Sequence, residues 1–217
     1  MGIRRLLDPD MEAAAAAWGF GCPRGYGGAI IGYLMALTHG KRSSWILDRL
    51  AILPSDRVLE IGFGPGTEIK RAAQLACQGF VAGIDVSAVM LGQAQRRNRE
   101  NIRQGRVELR LASMQEIPYP SQGFDKVFAV NSIQFATDLS QALKEIRRVL
   151  KPGGVAALAV QPLWKGASKA SAAEIGRALA GAMAEAGFRG VEAAERHLWP
   201  RSMVCVFGRA PETVSMV

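Results

Sequence analysis

The stretch of sequence best suited to bind a ligand covers residues 58–66, Val-Leu-Glu-Ile-Gly-Phe-Gly-Pro-Gly. The apolar residues around Glu60 predict a buried parallel strand, and the three glycines predict a tight turn after it. Glycine is used where φ must be positive or where a side chain would keep a ligand from the backbone. Thr67 is placed to cap a following helix, whose first amide groups would point into the turn. This stretch therefore predicts a small-ligand site at the end of a strand.

A single acid further along the chain strengthens that prediction. Asp85 ends a second strand-like run, residues 80–84, and follows Gly66 by nineteen positions. In doubly wound folds, an acid at the tip of the second strand binds the two hydroxyl groups of a ribose. Asp85 could instead cap the helix that follows, but Ser87 is the better-placed cap. We therefore expect Asp85 to contact a ribose.

The spacing of the glycines argues against two common nucleotide sites. It is G-x-G-x-G, whereas dinucleotide-binding enzymes use G-x-G-x-x-G, and Thr67 occupies the third glycine position of that pattern. The turn also lacks the Gly-Lys-Ser/Thr of a phosphate-binding loop. An NAD-dependent enzyme is therefore disfavoured.

The elements that must position these residues alternate along the chain. Strands are predicted at about 57–61, 80–85, 106–111, 124–130 and 155–160. Amphipathic helices are predicted between them, one starting at Ser87, one opened by Thr137 or Asp138 and ended by Pro152-Gly153-Gly154, and one ending at Gly187. The last two segments, about 190–197 and 202–208, are too close in sequence for a parallel crossover, so they must form a hairpin.

The first 50 residues form a separate, helical region in this prediction. A glycine-rich loop at residues 19–28 separates its helical segments. Its last helix, capped by Ser43 or Ser44, would place one apolar face against the rest of the protein: Ile46, Leu47, Leu50 and Ala51. We expect a lid over residues 1–50 and a ligand-binding domain over residues 51–217.

Four motifs together resemble the class I S-adenosylmethionine-dependent methyltransferases. They are VLEIGFGPG at 58–66, GIDVS at 83–87, FDKVFAVNSIQF at 124–135 and EIRRVLKPGG at 145–154. The resemblance implies an α/β, Rossmann-like, doubly wound and mostly parallel seven-stranded sheet. Its implied strand order is 3-2-1-4-5-7-6, with strand 7 antiparallel and an N-terminal helical lid.

The same resemblance implies a site for S-adenosylmethionine at the carboxyl ends of the strands. Asp85 would bind the ribose hydroxyls, and Val86 would pack beside the adenine. Ser113 stands where many relatives have an aspartate that accepts from the adenine amino group; a hydroxyl can still accept that hydrogen bond, and Met114 would pack on the ring. The implied cofactor-binding residues are Glu60, Gly62, Phe63, Gly64, Gly66, Asp85, Val86, Ser113, Met114 and Asn131.

Methyl transfer from a sulfonium is an in-line displacement, so the protein mainly has to align the reacting atoms. A general base is needed only for a protonated nucleophile, and the sequence offers no compelling one. The candidate catalytic residues are His39, Asn131 and Tyr26. Two of them have a structural alternative: His39 is also suited to a helix terminus, and Asn131 to an Asx turn that closes the strand. The candidate substrate-binding residues are Tyr26, Tyr33, Gln134, Trp164 and His197.

Composition limits the range of partners. The net charge is +8, and six arginines between residues 96 and 110 supply much of it; we expect them on a solvated face away from the ligand site. No basic stripe is interleaved with aromatic residues, which disfavours nucleic acid. The three isolated cysteines indicate a reducing cytoplasm and no metal site. We expect a cytoplasmic monomer or homodimer.

Three functions remain open from the sequence alone. The first is an S-adenosylmethionine-dependent methyltransferase that acts on a small molecule. The second is a methyltransferase for a lipid or quinone head group at a membrane surface, reached through Phe20 and residues 30–37. The third is a cofactor-binding module without catalysis, since fold does not guarantee function.

Overall fold

The computed structural model of the protein describes residues 44–162, 169–198 and 201–212. Within these residues, the helices are α1 (44–50), α2 (Thr67–Leu75), α3 (Ala88–Arg103), α4 (Leu139–Val149) and α5 (Lys169–Glu185), with a short 3-10 helix at Ile133–Phe135. The strands are β1 (Arg57–Ile61), β2 (Phe80–Asp85), β3 (Val107–Leu111), β4 (Phe124–Val130), β5 (Leu150–Val160), β6 (Arg189–Leu198) and β7 (Arg201–Arg209). None of the helices in the described ranges is long and apolar enough to cross a membrane.

All seven strands form one sheet in the order β3-β2-β1-β4-β5-β7-β6. Strands β1 to β5 pair in parallel, and β7 is antiparallel to both β5 and β6. The predicted fold class and strand order are thereby confirmed. The strand order reverses at β1, which pairs with both β2 and β4, and this reversal is where doubly wound sheets bind ligands.

Both faces of the sheet are covered by helices. Alternate residues of β1 belong to different cores: Val58 packs with α1, α2 and α3, while Leu59 and Ile61 pack with α4 and α5. Such a strand is buried on both faces, which explains its nearly continuous apolar sequence. The helices on the two faces of the sheet hold the ends of β1, β2 and β4 beside one another.

Two of the predicted helix caps are confirmed. Ser87 Oγ accepts from the Met90 amide at 3.4 Å, and Asp138 Oδ1 accepts from the Gln141 amide at 3.0 Å. The predicted cap at Thr67 is wrong. Gly66 precedes α2 with φ of 76°, and the buried Thr67 hydroxyl has no hydrogen-bond partner among the described residues.

Other boundaries also differ from the sequence prediction. Strand β5 begins at Leu150, five residues early, so Pro152-Gly153-Gly154 lies inside the strand, where the pairing with β4 is irregular. Ile46, Leu47 and Leu50 of α1 are buried as predicted, but Ala51, which follows the helix with a φ of 49°, is exposed. The remainder of the predicted lid, residues 1–43, lies outside the described residues.

Candidate functional site

A cavity of about 320 Å³ opens at the carboxyl ends of β1, β2 and β4. Its wall contains every predicted cofactor residue except Gly66: Glu60, Gly62, Phe63, Gly64, Asp85, Val86, Ser113, Met114 and Asn131. Ser113 and Met114 reach it from the segment after β3, and Asn131 from the end of β4. The sheet thus brings together residues that span more than 70 positions of sequence.

The first two glycines of the turn, Gly62 and Gly64, have different surroundings. Gly62 has φ of 73°, and a Cβ there would lie 2.3 Å from the Cβ of Ser132, so this glycine lets β4 approach the turn. Gly64 also has positive φ, yet a Cβ there would meet nothing within 4 Å. Of the two, only Gly64 leaves open space beside its backbone.

Gly66 contacts a neighbouring helix, which the sequence analysis did not anticipate. A Cβ at Gly66 would lie 2.6 Å from the Cβ of Ala94 in α3, and the Asn98 amide donates to the Gly66 carbonyl at 2.9 Å. Arg97 of the same helix donates to the Pro65 carbonyl. The expectation that the arginine-rich segment lies wholly away from the site is therefore wrong, because Arg97 contacts the turn itself.

Asp85 fixes the shape of the glycine turn. Its Oδ2 accepts from the Gly64 amide at 2.8 Å, and its Oδ1 accepts from the Ser87 amide at 2.8 Å. Burial raises the pKa of Asp85, and these amide hydrogen bonds oppose that shift. Each carboxylate oxygen has two lone pairs, so Asp85 retains acceptor capacity toward the cavity.

Glu60 is the most deeply buried acid in this wall. It is 2 % exposed, and its Oε2 has no hydrogen-bond partner within the described ranges. Burial raises the pKa of Glu60 well above its ordinary value, repulsion by Glu68 and Asp85 adds to the rise, and a hydrogen bond from the Ile69 amide opposes it. The cavity is therefore suited to a cation that donates hydrogen bonds.

Glu68 and Gln115 are among the wall residues that the sequence analysis missed. Glu68 follows the turn by two positions, and the same helical pattern that buries Ile69, Ala72 and Ala73 buries Glu68. Gln115 joins the segment after β3 to the start of α4. Its side-chain nitrogen donates to Ser113 Oγ at 2.5 Å, and its side-chain oxygen accepts from the Asp138 backbone amide at 3.0 Å. The helical spacing of Glu68 was visible in the sequence, whereas the Gln115 contact was not.

Asn131 joins two strands at the edge of the cavity. Its φ is 53°, and its backbone amide donates to the Ala159 carbonyl at 2.9 Å. Its side-chain Oδ1 accepts from the backbone amide of Gln161 at 2.7 Å. The side chain therefore ties the end of β4 to the end of β5. Asn131 therefore has a structural role at the end of the strand, and it also lines the cavity.

Several predicted substrate residues lie elsewhere. Gln134 is outside the cavity wall, and its buried Oε1 has no hydrogen-bond partner in the described part of the chain. His197 is exposed near the end of β6, with its Nδ1 3.5 Å from Ser202 Oγ. Tyr26, Tyr33, His39 and Trp164 lie outside the described residues. Within the described ranges, no group of three or more His, Cys, Asp or Glu side chains could hold a metal ion.

Comparison with known proteins gives a family match across the strands that form the site. A family described as "Methyltransferase domain" matches residues 59–158. The chain is 33 % identical over 184 residues to the uncharacterized methyltransferase YdaC of Bacillus subtilis, which covers 85 % of this chain and 99 % of that protein. It is also 30 % identical over 122 residues to the ubiquinone/menaquinone biosynthesis C-methyltransferase UbiE of Geotalea daltonii, which covers 54 % of this chain and 52 % of that one.

One solved structure illustrates the shared fold. It is the N-methyltransferase NodS from Bradyrhizobium japonicum in complex with S-adenosyl-L-homocysteine. The two chains agree with a TM-score of 0.62 at 19 % sequence identity, over 79 % of this chain and 87 % of NodS. At that identity the likeness shows a common fold, so the acceptor of the reaction must be argued from the site.

Proposed function

Because this chain belongs to the class I S-adenosylmethionine-dependent methyltransferases, we propose that it transfers a methyl group from S-adenosylmethionine to a small-molecule acceptor. The observation that carries the proposal is the acidic cavity where the strand order reverses, with the open backbone of Gly64 facing Asp85. S-adenosylmethionine supplies a methyl group on a positively charged sulfur. An aligned nucleophile attacks the methyl carbon in line and displaces the sulfur.

The described wall suits that ligand chemically. Asp85 has acceptor capacity for the ribose hydroxyls, and Val86 and Met114 offer apolar surface for an adenine. Glu60 contributes a buried carboxylate oxygen without a partner among the described residues, which suits the positively charged methionine end of the ligand. No lysine or arginine belongs to this wall as described, so it offers no cation for the phosphates of a nucleotide.

The residues around the cavity contribute mainly alignment. Gly64 admits the ligand to the backbone, Asp85 fixes the turn, and the strand ends hold both in place. Such positioning can contribute roughly 7–11 kcal/mol to a displacement. Asn131, Ser132 and Thr137 are the polar residues of the wall beyond β4, and they would border the acceptor. We propose residues 1–50 as a lid over this space, with Tyr26, Tyr33 and His39 as its acceptor-facing candidates.

A quinone or lipid head group is the second candidate acceptor. Val86 and Leu111 lie at the ends of β2 and β3 with 50 % and 54 % of their surface exposed. Exposed apolar residues beside a ligand site suit an apolar acceptor or a membrane surface. Flotation with liposomes of anionic and zwitterionic lipid separates the two candidates, because only the second requires the protein to float with the vesicles.

The proposed function is tested by binding of S-adenosylhomocysteine, measured by calorimetry and by the shift in melting temperature. Asp85→Asn should weaken binding about 10- to 100-fold, because it removes a charged acceptor. Asp138→Asn is the matched control, since Asn is an equally good helix cap and Asp138 is outside the cavity wall. A wild-type protein with no melting shift at saturating ligand would contradict the proposal.

Turnover is tested separately from binding. The purified protein is incubated with S-adenosylmethionine carrying an isotopically labelled methyl group and a panel of phenols, amines, thiols and quinols. Transfer of label to any acceptor supports an enzyme. Tight binding of S-adenosylhomocysteine without turnover across the panel favours the module without catalysis.

A further inference from the structure

One acid in the cavity wall has no assigned role in methyl transfer. Glu68 is the second residue of α2, and only 3 % of it is exposed. Its Oε1 is buried without a hydrogen-bond partner in the described ranges, and Glu60 Oε2 is in the same state. Both residues line the same cavity, and the charge of Glu68 raises the pKa of Glu60. Two acceptor atoms on residues of one cavity wall therefore lack a donor within the described structure.

Stabilisation of α2 does not account for this arrangement. An acid in the first turn of a helix is favourable because it lies near the partial positive charge of the helix N-terminus. That interaction is available to an exposed acid, which keeps its hydration. Glu68 is instead buried beside a second acid, and burial of an unpaired carboxylate is costly. A cost of this kind indicates a ligand that supplies the missing donors.

The chemistry of the ligand group follows from the two acceptors. It must be positively charged and must donate at least two hydrogen bonds. A primary ammonium carries three donors on one charged atom. A sulfonium carries no N–H or O–H donor, and a ligand carboxylate would be repelled. Of the groups on S-adenosylmethionine, the ammonium of the methionine moiety is the one that meets both requirements.

We propose that Glu68 is a second binding residue for this ammonium group, which it holds together with Glu60. The proposal rests on the proposed function, because it assigns the orientation of S-adenosylmethionine in the cavity. In this role Glu68 would act on ligand affinity and selectivity, without taking part in the methyl-transfer step.

The test compares two probes by calorimetry: S-adenosylhomocysteine and its deaminated analogue, in which hydrogen replaces the ammonium. Glu68→Gln should weaken S-adenosylhomocysteine binding about tenfold or more, because a charge-assisted hydrogen bond becomes a neutral one. The same variant should bind the deaminated analogue at least as tightly as the wild type does. Glu116→Gln is the matched control, since Glu116 is exposed and outside the wall.

Equal weakening for both probes, or no weakening for either, would overturn the role of Glu68. Glu68→Asp is the second variant: it keeps the charge but shortens the reach, and it should weaken only S-adenosylhomocysteine, to an intermediate degree. If the wild type binds neither probe, the proposed function fails and this proposal fails with it. Normal wild-type binding combined with an unaffected Glu68→Gln overturns the Glu68 proposal alone.

Discussion

Acidic side chains in two regions of this protein lie in opposite electrostatic environments. The cavity carboxylates, Glu60, Glu68 and Asp85, share one wall that contains no lysine or arginine among its described residues. The paired carboxylates, Asp125 and Glu145, lie outside that wall and each contact a cation: Lys151 at 2.7 Å and Arg148 at 2.7 Å.

The pKa shifts follow the same division. Burial raises the pKa of Glu60 and of Asp85. Partial burial also pushes the pKa of Asp125 upward, but hydrogen bonds from Lys151 and the Arg57 amide outweigh it and the pKa is lowered. The hydrogen bond from Arg148 lowers the pKa of Glu145. The paired carboxylates stabilise the fold, whereas the cavity carboxylates are costly to the protein without ligand, as expected of a binding site.

The largest expected effect comes from Glu60→Gln. The amide oxygen can keep the hydrogen bond from the Ile69 amide, and the change removes a buried charge and its repulsion by Glu68 and Asp85. It also removes the charge that would attract the ligand. S-adenosylhomocysteine affinity should fall about 10- to 100-fold, measured by calorimetry. The melting temperature without ligand at pH 8 should rise by about 2–4 °C, as for a gain on the order of 1 kcal/mol.

Asp125→Asn is the counterpart of that variant among the paired carboxylates. It should lower the melting temperature and leave S-adenosylhomocysteine affinity unchanged. If both variants shift stability in the same direction, the division between the two regions does not hold.

Arg148→Ala should produce an effect of similar size in free energy, on stability alone. Arg148 donates to Glu145 and to the carbonyls of Ile117 and Tyr119, so it ties α4 to the segment that precedes β4. Loss of these hydrogen bonds should lower the free energy of unfolding by about 2–3 kcal/mol, measured with urea. The exposed Arg99→Ala is the control and should change it by less than about 0.5 kcal/mol. A large change in ligand affinity would show that Arg148 supports the cavity as well.

The smallest effect is a difference in pH dependence, on the order of 1 kcal/mol. A carboxyl group with a raised native pKa holds its proton more tightly in the native state than in the unfolded one. Glu60 should therefore reduce stability as the pH rises above its ordinary pKa of 4.5. Asp125 has a lowered pKa, so it should stabilise above its ordinary value of 3.8 and lose that contribution as the pH falls below it.

Urea unfolding of the wild type, Glu60→Gln and Asp125→Asn between pH 3.5 and pH 8 measures both contributions. The difference in free energy of unfolding between Glu60→Gln and the wild type should vanish at the acidic end and grow with pH in favour of the variant. The Asp125→Asn difference should also grow from the acidic end, but in favour of the wild type. Parallel curves for all three proteins would contradict the assigned pKa directions.

Local sequence signals predicted most of the framework correctly. Apolar runs placed β1, β2 and β4 within their observed bounds, and the short spacing of the last two strands required the β6–β7 hairpin. Ser87 was predicted as a cap, and Asp138 as one of two candidates with Thr137, because helix starts have a local chemical signature. The strand order came from the family resemblance, since periodicity does not state which strands are neighbours.

The function of each glycine in the turn could not be predicted from the pattern. Gly62 is required by Ser132, which is 70 positions away, and Gly66 by Ala94 in α3. All three have a positive φ, as glycine allows, but of the three only Gly64 has open space where a Cβ would lie. Steric requirements of this kind depend on where distant elements pack, so identical residues in one motif have different causes.

By itself, the sequence determined the strands, the hairpin, the glycine turn and the acid that faces it, because each follows from spacing along a single segment. Only the tertiary structure decided which carboxylates are paired and which are not. Lys151 meets Asp125 from the neighbouring strand, whereas Glu60 and Glu68 line a cavity that has no cation in its described wall. The pair of Arg148 and Glu145 is the exception, because its i,i+3 spacing within α4 is local. The cost of a buried charge depends on its complete surroundings, and those exist only once the chain has folded.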